Sequence, residues 1–418
     1  MKRLVSIVAL LLVTVMLFSA CNNKPINESK PENTTPEVTT PEATTPEATT
    51  PEVTTPEATT PEYTTPEETT PEETTPETIT STTTTLEETT PEETTPEETT
   101  IPEPVELAPG CEHEFTSRIV LEQVTTKEDG KIANVCGKCG GWQEETLAAV
   151  KSLKILAIGN SFSDNAMQYL AILAKELGIE EIILGKLYRG SCTVDRHWSD
   201  AQAGNNYERF DLNLGDGWVS QSQKTLIHAL KLYDWDIITM QQSSGYSGQA
   251  SSLGNLQNLI DYVNANKTNP NAKLYWHMTW AYSQFTAHGS FANYNKDQMT
   301  MYNAIVDVTK NHIVTNQSFT GIIPAGTAVQ NYRDKDINNS SIETKYITIS
   351  DGYHLQTYAR VAASLTWLRT LTGLSLDAIT CTSHNDVKFV KDYQLRYLKK
   401  AAEAAYLNPY EVTYVYSG

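Results

Sequence analysis

Two hydrophobic periods alternate along the chain from residue 151 onward. Residues 153–158, Leu-Lys-Ile-Leu-Ala-Ile, form an apolar run of strand length, and the stretch to about residue 177 repeats apolar positions at helical spacing. The same change of period recurs. Strands are predicted at 181–188, 235–240, 273–278 and 319–324, and helices at 224–232, 297–310 and from 355 onward. Near-continuous apolar strands mark a sheet covered on both faces, and strands interleaved with helices predict that the sheet is mostly parallel. The expected architecture of residues 151–407 is therefore α/β, a three-layer α/β/α sandwich, with ligands taken beyond the carboxyl ends of the strands. Ser161, Gly190, Gln241, Gln242 and Thr279 all fall at such ends.

The front of the chain has a different grammar. Lys2 and Arg3 precede an unbroken apolar stretch from Leu4 that closes in Leu17-Phe18-Ser19-Ala20-Cys21, which reads as an export signal over residues 1–21. That ending resembles a bacterial lipobox, which implies lipidation at Cys21 and a protein anchored by lipid to the outer side of a bacterial cell membrane. A single membrane-spanning anchor is the other reading; in both, the remainder faces outward. Residues 22–108 are dominated by Thr-Thr-Pro-Glu repeats with almost nothing apolar to bury, so a disordered stalk is expected. Extended proline-rich chain advances about 3.1 Å per residue, so the repeats reach on the order of 200 Å.

Charge changes little in this picture. The formal net charge of −20 is carried largely by stalk glutamates, and the region after Pro109 is close to neutral. With no basic run and no aromatic-basic interleaving, nucleic acid is excluded as a partner.

Residues 109–146 form a small cysteine-histidine module. Cys111-Glu112-His113 and Cys136-Gly137-Lys138-Cys139 bracket a short hairpin-like excursion, the spacing of a closed tetrahedral site, and so short a segment needs a staple to fold. The pattern resembles zinc-ribbon-like repeats of bacterial surface proteins. Structural zinc on Cys111, His113, Cys136 and Cys139 is the favoured reading, with a disulfide and a bystander His113 as the alternative. Four protein ligands leave no open position, so the metal would not be catalytic.

The candidate chemistry lies in two short stretches. The first strand ends abruptly in Gly159-Asn160-Ser161-Phe162-Ser163, which puts a serine on a strand-to-helix turn. Far downstream, Asp351-Gly352-Tyr353-His354 precedes an apolar-periodic helix. A carboxylate three residues before a histidine can hold one ring nitrogen while the other takes a proton from a serine. Each half alone is an ordinary helix cap. Together they resemble the SGNH (GDSL-like) hydrolase superfamily over about residues 151–373, which implies its flavodoxin-like fold and an acyl-serine mechanism that needs no cofactor. The resemblance makes Ser161 the nucleophile, His354 the general base and Asp351 its orienting partner. It also makes the Ser161 and Gly190 amides donors to the oxyanion. Two blocks depart from the pattern. Asn160 replaces the usual aspartate, and Met240-Gln241-Gln242-Ser243 stands where an asparagine normally gives a further oxyanion donor. Gln242 is the expected substitute, with Gln241 its rival.

Trp198, Trp280, Tyr282 and Thr279 flank the predicted mouth and are candidate substrate contacts, as is His197; His277, inside a strand, reads as core. Cys192 and Cys381 are a possible disulfide pair, or Cys192 is a buried thiol. The implied function is a cell-surface serine esterase acting on O-acyl, foremost O-acetyl, esters of an acylated polysaccharide. A non-catalytic module that binds glycan or protein in the same cleft is the alternative. A glycosidase needs a second carboxylate, and none stands near Asp351 in the sequence.

Overall fold

A computed structural model describes residues 101–333, 347–385 and 387–415. Cys21 and the whole repeat region to residue 100 lie outside the described residues. The described residues belong to one compact unit. Among the described residues no helix is long and apolar enough to cross a membrane.

Among the described residues the central sheet has seven strands. β4 (Ser152–Gly159), β5 (Glu181–Tyr188), β8 (Ile237–Met240), β9 (Lys273–His277) and β10 (Gly321–Ile323) are parallel, in the order β10-β9-β8-β4-β5. Two antiparallel strands, β6 (Arg209–Asn213) and β7 (Trp218–Gln221), extend it beyond β5. The five parallel strands are those that the apolar runs predict. The β6–β7 hairpin was not anticipated, because its residues are polar and mixed: Arg209, Asp211 and Asn213 alternate with Phe210 and Leu212.

The chain leaves β4 for β5 on one side and returns for β8 on the other. That reversal opens a crevice at the carboxyl end of β4, where doubly wound folds take their ligands. Helices cover the sheet: α1 (Ser161–Met167), α2 (Leu170–Glu176), α3 (Val194–Ala203), α4 (Leu226–Leu232), α5 (Leu256–Asn266), α6 (Gln298–Val308), α7 (Ala325–Tyr332), α8 (Thr357–Thr372) and α9 (Asp392–Leu407). Leu153, Ile155, Leu156, Ala157 and Ile158 are all buried in one continuous core with α1, α2 and α8, which is why β4 reads as an unbroken apolar run. The predicted first helix is two: α1 ends at Met167 and α2 begins at Leu170.

The small module is a three-stranded antiparallel sheet, β1 (Phe115–Glu122), β2 (Gly130–Cys136) and β3 (Trp142–Leu147). It packs directly on the larger sheet's helices. Val124 is buried in the shared core, Arg118 Nη1 donates to the Tyr406 carbonyl at 2.7 Å, and Gln123 Nε2 donates to the Gly373 carbonyl at 2.7 Å. Strand β3 keeps four of its six side chains exposed, so it adds little to a core of the small sheet's own.

Candidate active site

Every residue of the Gly-Asn-Ser-Phe-Ser turn has a local task. Asn160 caps α1: its Oδ1 accepts the Phe162 amide at 3.0 Å and also the Gln241 side-chain amide at 2.7 Å. Ser163 Oγ donates back to the Asn160 carbonyl at 2.9 Å. Gly159 must lack a side chain here, since a Cβ would stand 2.3 Å from Ser163 Oγ. Phe162 stacks on Trp280 with ring centroids 4.2 Å apart. Ser161 is left as the first residue of α1, at the end of the central strand, with a half-buried side chain facing a cavity.

The Asp351–His354 turn meets it there. His354 Nε2 lies 2.6 Å from Ser161 Oγ, and His354 Nδ1 lies 2.6 Å from Asp351 Oδ2. The other carboxylate oxygen of Asp351 accepts the amides of Tyr353 and His354 at 2.9 and 3.0 Å. Burial pushes the Asp351 carboxyl up, but those two amides and the His354 ring outweigh it and hold Asp351 below its usual range. The carboxylate is therefore ionised wherever the imidazole needs a partner.

Three hydrogen bonds from the connection that follows β9 clamp this turn. Thr286 Oγ1 donates to the Asp351 carbonyl at 2.8 Å, the Ser283 amide to the Gly352 carbonyl at 2.7 Å, and Trp280 Nε1 to the Tyr353 carbonyl at 2.8 Å. Gly352 has φ +78°, and a Cβ there would stand 2.6 Å from Thr286 Cβ. Leu355 N donates to Asn165 Oδ1 at 2.9 Å, which ties the turn to the helix that carries Ser161.

The cavity at Ser161 and His354 has a volume of about 210 Å³. Tyr188, Tyr282 and Tyr353 form much of its wall, and Ser243, Ser244 and Ser290 bring hydroxyl-bearing side chains to it. Tyr282 Oη and Ser244 Oγ are 2.9 Å apart. His288 packs against Tyr282 and Tyr353, and burial lowers its pKa. Ser191, at the rim beside Gly190, has φ +50°, a left-handed conformation that a serine adopts at a cost. Sequence reasoning missed Asn165, Tyr188, Ser191, Ser244, His288, Ser290 and two of the clamping residues, Ser283 and Thr286. Ser243 and Ser244 follow the end of β8 and were legible by position; His288 and Ser290 sit in a long connection that carries no motif.

Several expected contacts are corrected by the geometry. Neither glutamine offers its amide to the cavity. Gln242 Nε2 donates to Ser252 O and Oγ at 2.8 and 3.0 Å, while its oxygen accepts the Val194 and Ser243 amides. Gln241 gives its amide to Asn160, and its oxygen lies 3.0 Å from His277 Nδ1. Both side chains are fully buried, so each must satisfy both ends of its amide inside the protein, and each does so by bracing loops. The Gly190 amide is engaged by Glu208 Oε2 at 3.0 Å, and a Cβ on Gly190 would meet only ordinary contacts at 3.5 and 3.7 Å. Glycine is thus not demanded by the local packing.

Trp280 and Thr279 are buried, the first as a clamp on the Asp351–His354 turn and the second in a bond to Ser247 Oγ at 2.7 Å. Trp198 packs edge-on against Tyr262, apart from the cavity lining. Of the four, Tyr282 alone lines the cavity. His197 is buried, 2.7 Å from Tyr207 Oη. His277 lies in the core as expected. Cys192 and Cys381 are both free thiols, and burial pushes Cys192 up to about 12, the wrong direction for a nucleophile. The ligand atoms of Cys111, His113, Cys136 and Cys139 converge within 4.8 Å of one another.

Comparison with known proteins places the chain in a family. No curated protein matches the chain. The crystal structure of a DUF4886 family protein from Bacteroides uniformis ATCC 8492 is similar at 32% identity and a TM-score of 0.56, covering 63% of this chain and 98% of that one. More distant likenesses, both with TM-scores of 0.31, are to LAE5, an alpha/beta hydrolase enzyme from the metagenome of Lake Arreo, Spain (11% identity, 53% of this chain and 95% of that one), and to BT4096, a gut microbial diltiazem-metabolizing enzyme (12% identity, 52% and 47%). Residues 154–399, more than half of the chain, match the family described as "Domain of unknown function (DUF4886)", and the chain belongs to that family.

Proposed function

We propose that this protein is a serine hydrolase of the SGNH type that cleaves small O-acyl esters, foremost O-acetyl esters on carbohydrate. The observation that carries the reading is the continuous relay from Ser161 Oγ through both nitrogens of His354 to Asp351 Oδ2, with 2.6 Å at each of its two links. His354 Nε2 takes the Ser161 proton as Oγ attacks the ester carbonyl, and returns it to the departing alkoxide. Water then attacks the acyl-serine by the same route, releasing the acid and restoring the hydroxyl. Asp351 holds the ring with Nδ1 protonated, so that Nε2 is free to act as base.

Two backbone amides serve the oxyanion. The Ser161 amide, in the first turn of α1, has no acceptor within its own helix. The Gly190 amide joins it when the half-exposed Glu208 carboxylate yields to substrate. A cavity of about 210 Å³ walled by tyrosines and serines supports a short acyl group on a polar alcohol. An exported chain lipidated at Cys21, with residues 22–108 as a stalk, would carry this site outward from the membrane to polysaccharide.

One observation favours a second reading. The Glu208 carboxylate on Gly190 N also suits a non-catalytic module whose oxyanion site is permanently filled. Release of acetate from acetylated xylan, and of nitrophenol from p-nitrophenyl acetate, separates the two. The wild-type chain is expected to turn over and Ser161→Ala to lose the activity; equal, slow release by both would leave the binding module.

A further inference from the structure

We propose that Cys111, His113, Cys136 and Cys139 hold one zinc ion in a closed structural site that clamps the arm of chain before β1 to the β2–β3 turn. The four ligand atoms come from two places, the segment 111–113 and the knuckle 136–139, and lie within 4.8 Å of one another. Tetrahedral zinc with thiolate at about 2.3 Å and imidazole at about 2.0 Å has a sulfur-to-nitrogen edge of about 3.5 Å. Cys139 Sγ and His113 Nδ1 are 3.6 Å apart.

The backbone is arranged for thiolates. The Glu114 amide points at Cys136 Sγ at 3.4 Å, and the amides of Lys138 and Cys139 turn toward the same sulfur. Cys136 N donates to the Gly141 carbonyl and Gly140 N to the Cys136 carbonyl, both at 2.8 Å, which closes the knuckle with Gly140 at φ +71°. A disulfide uses two sulfurs and would strand the third thiol beside His113. Zinc uses all four groups. Three thiols release their protons to solvent as they bind, and His113 enters neutral through Nδ1. Three soft sulfurs and one imidazole in tetrahedral array select zinc over harder cations.

The consequence is mechanical. The arm is held to the small sheet by few backbone bonds, Trp142 N to the Val105 carbonyl at 3.0 Å among them, and β3 has little core to offer. A metal bridging 111–113 to 136–139 fixes the point at which the amino-terminal segment joins the folded unit.

The full-length chain, purified under reducing conditions without chelator, is expected to carry one zinc ion by elemental analysis. Exchange for cobalt should give the thiolate-to-metal charge-transfer and visible bands of a tetrahedral sulfur-rich site. Zinc removal should increase hydrogen exchange at 105–114 and 136–142 while leaving the sheet core protected. His113→Ala and Cys139→Ser should lose the metal, and Cys381→Ser should keep it. If the ligand variants do not fold, the wild-type stoichiometry and cobalt spectrum still decide. A metal-free chain with three reactive module thiols, a disulfide among Cys111, Cys136 and Cys139, or iron in place of zinc would each overturn the proposal. None of these readouts depends on esterase activity.

Discussion

Asn165 and Leu355 stand 190 positions apart in the chain and are joined by one hydrogen bond of 2.9 Å, from the Leu355 amide to the Asn165 side-chain oxygen. Asn165 lies one helical turn beyond Ser161, and Leu355 directly follows His354. The bond therefore sets how close the imidazole comes to the serine. Ser364 Oγ, donating to the Ala166 carbonyl at 2.6 Å, and Arg360, bonded to Gln168 at 2.6 Å, hold α8 to α1 behind it.

Asn165→Ala is accordingly expected to lower kcat on p-nitrophenyl acetate by about 10- to 100-fold, because a small misplacement of a catalytic group costs that much. KM and the circular dichroism spectrum should stay near wild type, since α8 keeps its other ties. An unchanged kcat would show that those ties alone position His354.

In the proposed mechanism Ser161 and His354, 2.6 Å apart, act as one proton-transfer unit, so their removal should not be additive. Each of Ser161→Ala and His354→Ala should lower kcat by about 10⁴-fold or more, and the double variant should be scarcely worse than either. Steady-state rates of the three proteins measure this. Multiplying losses in the double variant would mean that the two side chains act separately.

The serine, histidine and aspartate of the candidate site were legible because their pattern is written locally. Asp351 reaches His354 across one turn, and Ser161 follows an apolar strand at the topological reversal of the sheet. The glutamines were not legible in the same way. Sequence states that an amide stands at 241 and 242, but its direction depends on which buried groups lack partners, here Asn160, His277 and Ser252. Trp280 was misread for a related reason: its indole looked like a substrate contact, and its partner is the carbonyl of Tyr353, 73 residues away. The β6–β7 edge escaped because charged residues line it. Lys186 from β5 lies 2.5 Å from Asp164 and 3.8 Å from Asp211, so polar side chains are buried in pairs where an apolar pattern was sought.

The two core histidines make the fold acid-sensitive. Burial lowers His197 and His277 to about 3, against about 6.5 in the unfolded chain. His277 faces Gln241, Trp280 and Trp367, and Asp200 near His197 only partly offsets the burial. Below about pH 6.5 the unfolded chain takes up protons that the native core refuses, so stability is full above that pH and falls as pH drops toward 3. Urea midpoints across this range should show the decline. His277→Gln should flatten it by about 1.4 kcal/mol per pH unit, the linkage of one proton; an unaltered slope would mean that His277 charges in the folded state.

Glu208 is the residue whose change should raise activity. Its Oε2 accepts the Gly190 amide at 3.0 Å, while its other oxygen, on a half-exposed side chain, lies 3.9 Å from Arg189, a long contact that contributes little to stability. If Gly190 N is an oxyanion donor, the substrate must displace a full negative charge to reach it, and that competition is present in the ground state and absent from the tetrahedral state. Glu208→Ala removes the competitor and should raise kcat/KM severalfold for a neutral ester, while Glu208→Gln, which keeps a weaker acceptor at the same place, should fall between the two. A loss of activity in Glu208→Ala with the fold intact would instead mean that Glu208 holds the loop open for substrate, leaving the Ser161 amide as the donor and Gly190 outside the reaction.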